Sequence, residues 1–126
     1  PQSDLMAGML IVEDELEVAD DLRAFFSRRG WEVFTAATGE EGLNVFLEKK
    51  PDLVLLDIKL GEGISGVEML RKAKAAHPKS RFIMVTAVDD ANVSQMARGL
   101  GAEAYLTKPL SSERLERVVM SRLRSQ

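Results

Sequence analysis

The chain has 126 residues, 45% hydrophobic and 29% charged, which is the ordinary balance of one globular domain with material for one core. Its net charge of -3 argues against a general nucleic-acid grip, which needs a basic face, and the absence of cysteine excludes disulfides, thiolate metal sites and Cys nucleophiles while suiting a reducing cytoplasm, the expected location. No apolar run approaches the ~20 residues of a membrane span, and the opening Pro1-Gln2-Ser3-Asp4 lacks the basic and apolar regions of a signal peptide. Residues 1–8 read as a leader or a remnant, because the chain opens on Pro1 rather than Met, as a processed product or a piece cut from a longer protein does. The folded domain is expected over 9–126.

Met9-Leu10-Ile11-Val12 is a short apolar run, read as a first strand that ends on Glu13-Asp14-Glu15. Val18, Leu22, Phe25 and Phe26 then recur on one helical face, and Gly30 after Arg28-Arg29 reads as a helix stop with cations at the negative end of the dipole. Trp31 to Ala36 alternates weakly and reads as a second strand. Thr38 and Glu41 fit a capping box that opens a helix with the stripe Leu43, Phe46 and Leu47. Pro51 closes the turn into Leu53-Val54-Leu55-Leu56-Asp57, a strand buried on both faces that ends on a carboxylate. A carboxylate there is costly unless something uses it.

A Gly-rich loop follows, then a helix marked by Val67, Leu70 and Ala73 that stops before Pro78. Phe82-Ile83-Met84-Val85 is a fourth strand ending at Thr86. Val93, Met96, Ala97 and Leu100 mark a fourth helix, ended by Gly99 or Gly101. Ala104-Tyr105-Leu106 is a short fifth strand before Lys108-Pro109, and Leu115, Val118, Val119 and Leu123 mark a last helix. Strands alternating with helices, joined by short connections, imply a parallel sheet covered by helices on both faces. In such α/β sheets chemistry gathers at the carboxyl ends of the strands.

Those ends carry Glu13, Asp14, Asp57, Thr86 and Lys108. Three carboxylates in one cleft repel each other, and a hard divalent cation such as Mg²⁺ relieves the repulsion. Lys108 supplies a point charge and Thr86 a hydroxyl, both useful around a phosphoryl group. Asp57 is then placed to act as a nucleophile that forms an aspartyl-phosphate.

With these residues together, the chain resembles a response-regulator receiver domain of two-component signalling, similar to the chemotaxis regulators, over about residues 9 to 124. Ile11-Val12-Glu13-Asp14-Glu15 resembles the acidic pair after the first strand and Leu55-Leu56-Asp57 the phosphoacceptor strand. Val85-Thr86-Ala87 resembles the switch strand, and Tyr105-Leu106-Thr107-Lys108-Pro109-Leu110 the Lys-Pro segment. The resemblance implies a flavodoxin-like (βα)5 fold with strand order 2-1-3-4-5. It implies that Asp57 takes a phosphoryl group from a histidine kinase or phosphotransfer protein. Asp14, Asp57 and the backbone carbonyl of Lys59 would hold Mg²⁺, with Glu13 acting through water. Lys108, with a cis bond to Pro109, would bind the phosphoryl oxygens. Thr86 and Tyr105 would switch inward, so that the face of the fourth helix, fifth strand and fifth helix changes its affinity for an output domain, a downstream protein or a second copy of the chain. No turnover enzyme is implied beyond slow self-dephosphorylation, and neither nucleic acid nor membrane is contacted by this domain.

Departures from the pattern are specific. Glu13 stands where the family commonly carries Asp, Gly61 replaces a usual Pro, and the loop to Gly66 is one residue longer than usual. Glu103-Ala104 stands where many DNA-binding regulators carry two Asp, a charge pair used in one dimer mode. Other readings compete. Gly61-Glu62-Gly63-Ile64-Ser65-Gly66 spells GxGxxG, but a dinucleotide fingerprint wants glycines directly at the strand end, where Asp57 stands. A Mg²⁺-dependent phosphatase with an aspartyl nucleophile commonly carries an acidic residue two positions on, where Lys59 stands. A receiver-like interaction module without phosphorylation remains the alternative. Tyr105 also reads as an ordinary half-buried strand tyrosine, and His77, before Pro78, as structural or solvated.

Overall fold

In the computed structural model, which describes residues 7–61 and 63–124, five strands alternate with five helices. They are β1 (Gly8–Val12), α1 (Leu16–Ser27), β2 (Glu32–Ala36), α2 (Gly39–Lys49), β3 (Leu53–Leu56), α3 (Gly66–Ala76), β4 (Arg81–Thr86), α4 (Ala91–Gly99), β5 (Ala104–Thr107) and α5 (Ser112–Arg124). The strands form one parallel sheet in the order β2-β1-β3-β4-β5, as expected.

Side-chain alternation sorts the core into two layers. Leu10, Val12, Val54, Leu56, Phe82 and Met84 point to the face covered by α2, α3 and α4, where Phe46, Met69, Leu70, Ala73 and Ala97 meet them. Met9, Ile11, Leu53, Leu55, Ile83 and Val85 point the other way, to Phe26 of α1 and Leu115 and Val119 of α5. Burying one such side chain contributes about 2 kcal/mol before entropy is counted. Because both faces of β3 are covered, its run is apolar without alternation, which is why it is so conspicuous in the sequence.

The first strand begins at Gly8, not Met9. The Ala7 carbonyl accepts from the Glu32 N–H, and Gly8 donates its N–H to the Asp52 carboxylate at 2.7 Å. Residues 1–6 of the expected leader lie outside the described residues. The second strand starts at Glu32 rather than Trp31, whose ring meets Phe26 edge-on at 6.4 Å while its N–H bonds the Phe26 carbonyl. At the end of α1 the Arg29 guanidinium donates to the Phe25 carbonyl, so a cation does stand at the negative end of the dipole.

The capping box at α2 is half as expected. Thr38 Oγ1 accepts from the Glu41 N–H at 3.0 Å, but the Glu41 carboxylate reaches back to Ala37, one residue before the cap. Helix α4 starts at Ala91, because Asp90 caps it by accepting from Asn92 and Val93, a cap the apolar stripe does not reveal. Gly99 is its last helical residue, and Gly101, at φ 113°, makes the left-handed turn. The fifth strand runs one residue further than expected, to Thr107.

Candidate functional site

Three of the chemistry-bearing residues at the carboxyl ends of the strands, the upper rim, are held by backbone bonds that continue the sheet past its strands. Glu13 donates its N–H to the Ala36 carbonyl at 3.0 Å, Asp57 to the Val12 carbonyl at 3.1 Å and Lys108 to the Thr86 carbonyl at 2.8 Å. The ladder therefore sets where these side chains start, and the apolar run before each one fixes the ladder. Thr86, Glu13 and Asp57 are the buried polar residues among those described, at 0%, 4% and 7% exposure of the whole residue. Buried polar groups need partners, and each of these has one.

Lys108 Nζ lies 2.5 Å from Glu13 Oε1 and 3.0 Å from Asp57 Oδ2. Burial opposes the ammonium's charge, but the bonds to Glu13 and Asp57 outweigh it and hold the Lys108 pKa above its usual value. For Glu13 the balance runs the other way. Burial raises its pKa above the usual carboxylate value, despite the bonds from Lys108 and from the Glu15 amide. Asp57 Oδ1 also accepts from the Lys59 N–H at 3.3 Å, which folds the chain back directly after the strand. The Lys59 side chain is exposed.

Carboxylate oxygens of Glu13, Asp14 and Asp57 all lie within 4.8 Å of one another. Glu13 and Asp57 are buried and Asp14 faces solvent. Oxygen ligands so grouped, one of them open to water, suit a hard divalent cation that keeps part of its hydration shell, so the residues fit Mg²⁺. The Lys108–Pro109 peptide is cis, as expected. Beside it, the flank of Lys108 opens on a cavity of about 500 Å³ between α1 and α5, lined by Val18, Leu22, Pro109 and Leu115.

Thr86 and Tyr105 meet at a residue the sequence does not single out. The Val88 N–H donates to Thr86 Oγ1 at 3.2 Å, and the Tyr105 hydroxyl donates to the Val88 carbonyl at 2.5 Å. Tyr105 is half-buried against the α2–α3–α4 layer. Burial raises the pKa of its phenol, and the negative charges of Asp90, Asp89 and Asp57 raise it further.

Gly66 is needed for close approach: a Cβ there would lie 2.0 Å from the Asp57 carbonyl oxygen, and its N–H bonds the Ile58 carbonyl at 2.9 Å. Glu62, within the same GxGxxG run, lies outside the described residues. His77 sits at the end of α3 with its ring edge-on to Phe46 at 5.6 Å, in keeping with a structural role. Glu103 forms a two-pronged ion pair with Arg81, at 2.7 and 3.0 Å, and so is engaged within its own chain.

Comparison with known proteins agrees with this geometry. Residues 9–120 match the family described as the response regulator receiver domain. The chain is 32% identical over 111 residues to sporulation initiation phosphotransferase F of Bacillus subtilis, covering 88% of this chain and 89% of that protein. A CheY-like receiver domain protein from Methanospirillum hungatei has the same fold with a TM-score of 0.90 at 33% identity, covering 94% of each chain. The CheX–CheY–BeF3–Mg complex from Borrelia burgdorferi is similar with a TM-score of 0.88 at 27% identity, covering 93% of this chain and 89% of that one. The chain belongs to the response regulator receiver domain family, the signalling module of two-component systems.

Proposed function

We propose that this domain is a phosphorylation-controlled switch in which Asp57 is the phosphoacceptor. The observation that carries this reading is the Asp57 carboxylate, buried at a strand end, 3.0 Å from Lys108 Nζ and grouped with two further carboxylates. Asp57 attacks the phosphorus of a phosphohistidine on a kinase or phosphotransfer protein. A new O–P bond forms as the N–P bond breaks, and the freed imidazole leaves. Lys108 stabilises the phosphoryl oxygens, and its bonds to Glu13 and Asp57 already aim it at them. When bound by Asp14, Asp57 and the Lys59 carbonyl, with Glu13 through water, Mg²⁺ supplies positive charge that offsets the acidic cluster. One relative is named a phosphotransferase, and the Borrelia neighbour was crystallised with beryllofluoride and Mg²⁺, in keeping with this chemistry.

The apolar cleft between α1 and α5 beside Lys108 gives a phosphodonor a surface next to the acceptor. After transfer, Thr86 turns its hydroxyl to the phosphoryl group. That breaks its bond to Val88 and shifts the α4–β5–α5 face through Tyr105. The output is a domain, a downstream protein or a second copy that reads this face. The domain is then a cytoplasmic signalling protein rather than a turnover enzyme, with slow hydrolysis of its own phosphoryl group.

Intact mass after incubation with Mg²⁺ and acetyl phosphate tests the reading. A gain of one phosphate in the parent, absent in Asp57→Asn and absent without Mg²⁺, is expected. No gain, together with no binding of Mg²⁺ or beryllofluoride, would leave the domain a docking module without phosphorylation.

A further inference from the structure

We propose that Glu40 is a positioning residue for the phosphoacceptor site, acting from α2 through the backbone of the β3–α3 loop. The inference rests on the reading of Asp57 as a metal-assisted phosphoacceptor. Glu40 lies in the first turn of α2, where an acidic residue is ordinarily explained by the helix dipole. Its carboxylate does something more specific. Glu40 Oε2 accepts the N–H of Ile64, 24 residues further on, at 3.0 Å.

The fit around this bond is close. A Cβ at Gly63 would lie 2.5 Å from Glu40 Oε1, and one at Gly39 would lie 2.5 Å from Ile64 Cγ1 and 2.6 Å from its carbonyl oxygen. Glycine at both positions lets the crown of the loop settle on the start of α2, with the Ile64 side chain packed on the core layer beneath. The two ends of the loop are fixed separately. Lys59 donates its N–H to Asp57 Oδ1, and Gly66 donates to the Ile58 carbonyl. Glu40 therefore holds the middle of a segment whose ends are tied to the acceptor strand.

That segment carries the Lys59 carbonyl proposed to face the metal, and a Cβ on its Gly61 would come within 3.9 Å of Asp14 Oδ2. With the crown held, the loop presents its backbone to the cluster in one arrangement. With the crown free, binding a cation has to order the loop as well, and affinity falls. Gly61 and Gly63, at φ 73° and 93°, make the loop pliable, which gives such a strap something to hold.

Glu40→Ala and Glu40→Gln separate a strap from a charge effect, since the Gln amide oxygen still accepts from Ile64. Unfolding followed by Trp31 fluorescence establishes that each variant is folded. Hydrogen exchange of the Ile64 amide is measured without metal, and Mg²⁺ affinity by calorimetry. Glu40→Ala is expected to speed Ile64 exchange and to weaken Mg²⁺ about fivefold, the equivalent of one ordinary hydrogen bond. Glu40→Gln is expected to stay within about twofold of the parent. Unchanged exchange and affinity in Glu40→Ala would overturn the role, as would a Gln variant as weak as the Ala variant, which would assign the effect to charge. A parent chain that binds no Mg²⁺ would instead bring down the reading beneath it, while Ile64 exchange still reported whether the contact exists.

Discussion

Lys108 carries one positive charge between two carboxylates whose side chains are only 5% and 8% exposed. Removing it leaves both acids buried beside each other without a cation, and the cost of an uncompensated buried charge exceeds the worth of the pair. Lys108→Met is expected to lower stability by about 2 kcal/mol, read from urea unfolding followed by the fluorescence of Trp31. Tyr105 offers a second residue-scale test, because it is the one tyrosine in the chain. Its phenol titrates above the usual 10.0 in the folded protein. The unfolded chain therefore loses this proton first, and between the two values it binds fewer protons than the folded state. The Tyr105 contribution to stability accordingly falls as pH rises from about 10 through the raised value. Phenolate absorbance should appear at higher pH in native protein than in urea. Coincident titration curves would count against the packing and charges described around the ring.

At the scale of elements, two glycines make opposite predictions. Gly66 opens α3 with its Cα pressed to the Asp57 carbonyl, whereas a Cβ at Gly99, the last residue of α4, meets nothing within 4 Å. Gly66→Ala is expected to cost about 3 kcal/mol, because backbone must move next to Asp57. Gly99→Ala is expected to gain about 0.5 kcal/mol from helix propensity. Thermal unfolding of both variants checks the contrast. The same elements show what a sequence discloses. Buried strands were legible because unbroken apolar runs end abruptly on Glu13, Asp57 and Thr86, and the Thr38 cap because its donor is three residues away. Val88 was not legible, since it takes part through its own N–H and carbonyl, groups every residue but proline has. Glu40 was hidden for the same reason on the receiving side: its partner is a backbone amide 24 residues off, which no periodicity announces. The Asp90 cap that sets the start of α4 is not legible, because a cap precedes the stripe that marks the helix. Family resemblance carried the strand order, which element alternation alone leaves open.

Across the whole molecule the two rims of the sheet do different work. The upper rim gathers unlike charges in one cluster, Lys108 among Glu13, Asp14 and Asp57, and the lower rim uses charge to fasten elements together. There Arg81, at the start of β4, pairs with Glu103 ahead of β5 and donates to the carbonyl of Arg122 near the end of α5. The Glu103 bond raises the Arg81 pKa, so the clamp stays charged at any ordinary pH. Arg81→Met is expected to cost about 2 kcal/mol and to speed amide exchange in the last turn of α5, with little effect on exchange near Asp57. Loss of protection at both rims would mean that the sheet does not insulate them from each other.

The clamp has a further consequence for geometry. Because all strands run parallel and α5 runs back against them, β1 begins and α5 finishes at the same lower rim, where Gly8 meets Asp52 and Arg122 meets Arg81. Gly8 and Arg122 therefore both lie at the pole opposite the carboxylates. A label placed at either residue stands a strand's length, roughly 15 Å, from Asp57.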